Sequence, residues 1–264
     1  MWRGLYTAGA GMITEMNRTD TIANNLANSN TNAYKKDEAL NREFAPMLIR
    51  RINDENTNTV TSFKGFSVGS GAPVVGTLGL GSYTAEIATD HTQGDLQTTG
   101  NPLDLAVLGN GYLAVNTPQG VRYTRDGNFF RSRNGQLITA NGQFVLDTQG
   151  QPVTLPDSPN IHFGGKGEVY TGNTQIAQLQ FVEFTDRRAV LKQGNNLYFA
   201  QNGAQPQPAT GEIQQGMLER SNVDTVSSMV DLINNYRVYE AGSKAVTTQD
   251  AMLDKSVNEV GRVS

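Results

Sequence analysis

Apolar residues recur with a helical period at both ends of the chain and with a strand-and-turn rhythm between them. Near the start, Leu5, Met12, Thr19 and Leu26 fall seven apart. Gly9, Met16 and Ala23 form the adjacent row, and Ala8 and Ile22 widen it. Residues three, four and seven apart share a helix face, so this row predicts an amphipathic helix of about seven turns. Gly4, Gly9 and Gly11 weaken that helix in isolation, each by about 1 kcal/mol relative to alanine. The small residues at 8–11 permit a partner helix to approach closely. Toward the other end, Met229, Leu232, Tyr236, Tyr239, Val246 and Leu253 share a face, broken by Ser243 and Asp250. Val226, Val230 and Ile233 add a second apolar edge. Ser221, three residues before Asp224, has the spacing of a capping box. A helix from about 223 to 256 would be about 50 Å long at 1.5 Å per residue. That exceeds what a compact chain of this size needs and suits one half of a coiled coil.

The middle reads differently. From 103 to 156 the turn tripeptides "GNG", "PQG", "RDG", "RNG", "ANG" and "TQG" interrupt short apolar runs. Asn-Gly and Asp-Gly supply positive φ at hairpin turns at little cost. "IAQLQFVEFTD" at 176–186 and "NNLYFAQ" at 195–201 continue the rhythm, and "NGAQPQPATGE" at 202–212 is a loop. The strands are too closely spaced for crossover helices, which excludes a parallel α/β fold. Residues 37–79 form an ambiguous link. "EALNREFAPMLIRRI" fits a broken helix interrupted at Pro46, and "NDENTNTVTS" an exposed loop. The fold class predicted is mixed helical and all-β, with long N- and C-terminal helices pairing as a coiled-coil-like domain around an inserted β-rich domain. Its parts are a helical assembly domain from 1–36 and 220–264, an extended linker 37–79, a β-rich domain 80–212 and a return linker 213–219.

Composition narrows the chemistry. The chain has 264 residues, 17% of them charged, with 28 glycines, no cysteine and a net charge of -4. Absence of cysteine excludes disulfides, thiol catalysis and thiolate metal sites. An acidic balance excludes the basic field of a nucleic-acid binder. The start has no apolar core of signal-peptide length, and no run approaches a membrane span, so an exported form is expected to carry no cleaved signal. His91, beside Asp90 and four before Asp95, invites an acid–base or metal reading. His162 lies in a separate turn, no ligand spacing emerges, and His91 reads better as a surface-loop residue. The acidic pairs Asp95 with Asp104 and Glu183 with Asp186 carry no specificity for paired-carboxylate hydrolysis. "GNGYL" and "GGKGEV" lack phosphate-loop spacing. Tyr34, Tyr112, Phe129, Phe130, Tyr198 and Phe199 read as core aromatics. No cofactor or metal is expected.

Three segments together resemble one family. "GMITEMNRTDTIANNLANSNTNAYKK" at 11–36, "NPLDLAVLGNGYLAV" and "YTRDGNF" at 101–115 and 123–129, and "LERSNVDTVSSMVDLINNYRVYEAGSKAVTTQDAML" at 218–253 resemble the rod and hook family of the bacterial flagellum. The resemblance is strongest to its basal-body rod proteins, either the larger proximal or the distal type. It is weakest over 37–90. It implies a structural axial subunit and not an enzyme, one that polymerises into the helical tube carrying torque from motor to hook and enclosing the export channel. The implied partners are copies of itself, neighbouring rod proteins, the hook protein or distal rod protein, the flagellar type III export apparatus and the bushing rings around the rod. The implied location is the basal body, outside the cytoplasmic membrane. The matching asparagines are Asn24, Asn25 and Asn28. An amide offers donor and acceptor without charge, which suits a dry, crowded subunit contact. Asn30 and Asn32 read equally well as turn residues. The expected assembly residues are Leu5, Met12, Met16, Ile22, Asn24, Asn25, Leu26, Asn28, Met229, Leu232, Tyr236, Tyr239, Val246 and Leu253. The runner-up from the residues alone is a secreted β-domain adhesin or binding module with coiled-coil ends. A cell-wall hydrolase stands behind it.

Overall fold

The computed structural model describes residues 2–50, 60–63, 66–69, 74–158, 160–201 and 203–260. Among these the fold is mixed, with a helix near each end and many short strands between. Helix α1 spans Trp2–Ala27 and helix α2 spans Thr225–Lys255, followed by a π-helical turn Ser256–Val260. The Asp224 carboxylate accepts from the Val226 and Ser227 amides, so Asp224 itself caps α2. Ser221, the cap that the capping-box spacing suggested, accepts instead from the Val223 amide ahead of the helix. Two compact units result. The first comprises 1–21, 39–87 and 230–264, and the second 22–38 and 88–229.

In the first unit, chain segments pair in nested ladders. Met47–Arg50 pairs antiparallel with Val74–Leu78, and Val60–Phe63 with Phe66–Gly69. The strand Asp37–Glu43 pairs with Ser82–Thr89. The broken helix expected over 38–52 is therefore replaced by strand through Arg50. "EALNRE" holds good helix formers, but ladder pairing supplies more backbone bonds than an isolated turn, and context overrides propensity. Pro46 sits between Asp37–Glu43 and Met47–Arg50, where its missing N–H interrupts no ladder. The loop expected at 53–62 lies outside the described residues up to 59, and 60–62 belong to a strand.

The second unit is an antiparallel β body. Its largest sheet runs Phe129–Arg131, Leu137–Thr139, Phe144–Val145, Tyr112–Thr117, Gly120–Thr124, Leu197–Ala200, Val190–Gly194, with Phe181–Phe184 also pairing to Tyr112–Thr117. Side chains alternate across a strand, so Tyr112–Thr117 serves two cores. Leu113 and Val115 join Leu105, Phe129, Leu137 and Phe181 on one face. Tyr112 and Ala114 join Tyr123, Phe184 and Tyr198 on the other. Of the six aromatics expected in the core, Tyr34, Tyr112, Phe129 and Tyr198 are buried and Phe199 is half-buried. Phe130 is 46% exposed, a correction that follows from its place beside inward-facing Phe129. Gly127, in "RDG", is obligatory not for a positive φ, which it lacks, but for space: a Cβ there would lie 1.6 Å from the Leu105 carbonyl oxygen. Any side chain would push the Leu105 strand out of the core.

Candidate functional site: a buried polar junction and two half-covered helices

The last turn of α1 and the segment that follows it belong to the second unit. Asn28 closes the helix, donating from its amide side chain to the Asn24 carbonyl at 2.8 Å. Asn25 is buried. It treats Asp37 as a strand neighbour would: its Nδ2 donates to the Asp37 carbonyl at 2.7 Å, and its Oδ1 accepts from the Asp37 amide at 2.9 Å. Tyr34 Oη donates to Asn24 Oδ1 at 2.8 Å. These asparagines therefore fold the chain back on itself, a use that needs both donor and acceptor on a short side chain. Asn32 takes part as well, its carbonyl accepting from Asn196 Nδ2 at 2.9 Å. Residues 33–37 then form a strap along the β body.

Beneath the strap lies a cluster of three charges that the sequence reading missed. The Lys35 ammonium and the Glu219 carboxylate are fully buried and 2.5 Å apart. Arg125 Nε donates to the other Glu219 oxygen at 3.2 Å, and its Nη2 donates to the Gly109 carbonyl at 2.8 Å. Lys35 Nζ also donates to the Thr92 carbonyl at 2.7 Å, and the Gly94 amide donates to Glu219 at 3.0 Å. Gly94 is needed here, because a Cβ would sit 2.1 Å from the Arg220 carbonyl oxygen. Burial pulls the Lys35 pKa below its ordinary value, against the opposing pull of Glu219. The Glu219 carboxylate and the Thr92 carbonyl give the buried ammonium the partners that burial of a charge requires.

The backbone around the cluster is pinned from both chain directions. The Ala33 amide donates to the Glu219 carbonyl at 2.8 Å. Asn222 Oδ1 accepts from the Lys36 amide at 2.7 Å, while its Nδ2 donates to the Asp90 carbonyl at 3.0 Å. Lys192 donates to the Lys35 carbonyl and, at 2.8 Å, to Asp37, with its ammonium 4.1 Å from the centre of the Tyr34 ring. Burial, with Asp37 second, pushes the Tyr34 hydroxyl up to about 12.

His91 is not the surface-loop residue expected. It is half-buried, its Nδ1 lies 3.0 Å from Tyr112 Oη, and its ring packs near Tyr198. Burial, then the charges of Arg187, Lys35, Arg125 and Lys192, bring its pKa down to about 4. Asp104 caps a local turn, accepting from Thr99 and Asn101, and Glu183 accepts from Thr210. Among the described residues no group of His, Asp and Glu could hold a metal ion.

In the first unit, α1 uses two faces. Thr14 donates to the Ser82 carbonyl at 3.0 Å and Asn17 to Thr84 at 3.3 Å. On the other face Asn235 Nδ2 donates to the Glu15 carbonyl and to Thr19 Oγ1, both at 2.8 Å. Met12 lies against Gly242, and Gln249 against Gly4. The close approaches therefore fall at Gly4 and Gly242. Gly9 and Gly11, expected to serve this purpose, have no neighbour within 4 Å of a built Cβ.

The apolar positions are only partly covered. Leu5, Met12, Ile22, Leu26, Leu232, Tyr239, Val246 and Leu253 are intermediate, Met16, Met229 and Tyr236 exposed. Val226, Val230 and Ile233 are exposed too, Ile233 by 54%. Asn235 is the one buried residue described along α2. No helix among the described residues is long and apolar enough to cross a membrane.

Comparison with known proteins bears on this arrangement at both ends and in the middle. Residues 5–35 match the flagella basal body rod protein domain, 106–171 the flagellar hook protein FlgE/F/G D1 domain, and 214–259 the flagellar basal body rod FlgEFG protein C-terminal domain. The chain is 34% identical to the flagellar basal-body rod protein FlgG of Bacillus subtilis (strain 168), over 98% of this chain and 99% of the relative. It is 32% identical to the flagellar hook-basal body complex protein FlhO of the same organism, over the whole of both chains. It is 31% identical to the flagellar basal-body rod protein FlgF of Caulobacter vibrioides, again over both chains. With matches in this order spanning both terminal helices and the β body, the chain belongs to the flagellar basal-body rod family.

Proposed function

We infer that this protein is a structural subunit of the flagellar basal-body rod, working without catalysis. It polymerises with copies of itself and with neighbouring rod proteins into the axial tube that carries torque to the hook. The tube surrounds the export channel, and the subunit reaches it through the flagellar export apparatus. Contacts with the hook protein or the distal rod protein, and with the bushing rings, follow from that position.

The observation that carries this reading, beside family membership, is the row of apolar side chains that the single chain leaves uncovered on α1 and α2. Burying one such side chain is worth about 1.5–3 kcal/mol, so a helix pair that leaves many of them wet is finished only by neighbours. The helices pair in a coiled-coil-like way, and residues within 1–36 and 220–264 form the assembly domain. The β-rich domain lies within 80–212, with 37–79 and 213–219 as its connections. Leu5, Met12, Met16, Ile22, Leu26, Met229, Leu232, Tyr236, Tyr239, Val246 and Leu253 make the subunit contacts. Asn24, Asn25 and Asn28 contribute by fixing the chain reversal beside them. Deleting the gene tests this: cells should lose external filaments and swimming together. Loss of surface attachment alone, with filaments intact, would point to an adhesin and refute the proposal.

A further inference from the structure

We propose that Glu219 is a latch that positions residues 33–37, so that the segment after α1 docks on the β body only through the charge balance of Lys35, Glu219 and Arg125. The strap carries three charges, on Lys35, Lys36 and Asp37. Lys36 pairs with Asp90 at 3.4 Å and Asp37 with Lys192 at 2.8 Å, both partly in water. Partly solvated pairs contribute little and are screened by salt. Lys35 alone enters a site with no water contact. Its desolvation is compensated there by Glu219 and by the Thr92 carbonyl.

Arg125 and Glu219 already form a neutral pair, both contributed by the 88–229 part of the second unit. The buried site is therefore charge-balanced before the strap arrives. Docking adds one cation, and the single carboxylate then serves two. Glu219 is also the residue whose carbonyl receives the Ala33 amide, three residues before Asn222 receives Lys36. Strap docking and the approach to α2 thus converge on one residue, and they should form or open together. The inference does not rest on assembly into a rod.

Amide hydrogen exchange on the purified full chain tests it. In Glu219→Gln two buried cations face a neutral amide. Exchange at Ala33, Lys36, Asp37 and Asn222 should accelerate by about tenfold or more, while Ala114 and Leu137 in the β body stay protected. Adding Lys35→Met to that variant removes the surplus cation and should restore most of the strap's protection. A Glu219 that acted only as a hydrogen-bond acceptor would give no such rescue. Should Glu219→Gln not fold, Lys35→Glu leaves every β-body residue native and sets two carboxylates together. It should release the strap and leave Ala114 and Leu137 unchanged. Native-like strap protection in Glu219→Gln or Lys35→Glu, or a double variant as open as Glu219→Gln alone, would overturn the proposal.

Discussion

At the residue scale, the asparagine-rich stretch works by imitating backbone. Asn25 offers Asp37 a donor and an acceptor in the spacing of a peptide group. Removing it strands both the amide and the carbonyl of Asp37. Asn25→Ala should therefore cost about 1–3 kcal/mol, read as a fall in the urea midpoint with an unchanged slope. His91 makes a second prediction, with a definite sign. The fold lowers its pKa from 6.5 to about 4, so the folded state holds the ring neutral and the unfolded state binds the proton more readily. The stability this contributes is fully present above pH 6.5 and is lost as pH falls through that window toward 4. Thermal melts at pH 7 and pH 5 should show the native protein losing stability and His91→Gln losing less. Parallel losses would contradict the assignment. Asn24, Asn25 and Asn28 stood out in the sequence by their match to the family, but as a subunit contact; the partners they take within the chain lie 4 to 12 residues away. The Lys35–Glu219 pair did not stand out, because 184 residues separate its members and nothing in a run of ordinary charges marks a buried one.

At the element scale, periodicity predicted both helices, and Asn-Gly predicted the hairpins at Asn134-Gly135 and Asn141-Gly142, whereas Asp126-Gly127 joins strands that do not pair. Two further readings failed for identifiable reasons. "EALNRE" carries helix formers yet is strand, because its pairing partner at 82–89 is remote in sequence. The glycines at 9 and 11 looked like contact points, but which side of a helix meets a neighbour depends on where that neighbour lies. The true contacts use Gly4 and Gly242. Substitution separates the two kinds. Gly9→Ala and Gly11→Ala meet open space and should each stabilise α1 by about 0.5–1 kcal/mol. Gly242→Ala would place a Cβ 2.8 Å from Met12 Cγ, so it should gain nothing or lose. Thermal melts followed by circular dichroism at 222 nm on dilute protein measure both.

At the scale of the whole molecule, the division of labour is between a β body with two dry cores and helices whose apolar faces are unfinished. Leu105, Leu113 and Leu137 are fully buried in a single chain, whereas Val226, Ile233 and Tyr236 are largely in water. A body that is complete alone and ends that are not is the expected build of a subunit that folds first and assembles afterwards. Limited proteolysis of the monomer should give a protected core within 100–200 and early cuts near both ends. That contrast was legible in the sequence as a change of period. The residues joining body to ends were not, since they are polar and drawn from distant segments.

The central claim is that the exposed apolar edge of α2 is an assembly surface, and Ile233→Asp tests it most directly. An exposed side chain can change without harming the isolated fold, so the purified variant should melt within about 0.5 kcal/mol of the native protein. Expressed in cells lacking the native copy, it should be absent from isolated basal bodies, and the cells should not swim. Normal incorporation of the Ile233→Asp protein into the rod, with motility retained, would contradict the account.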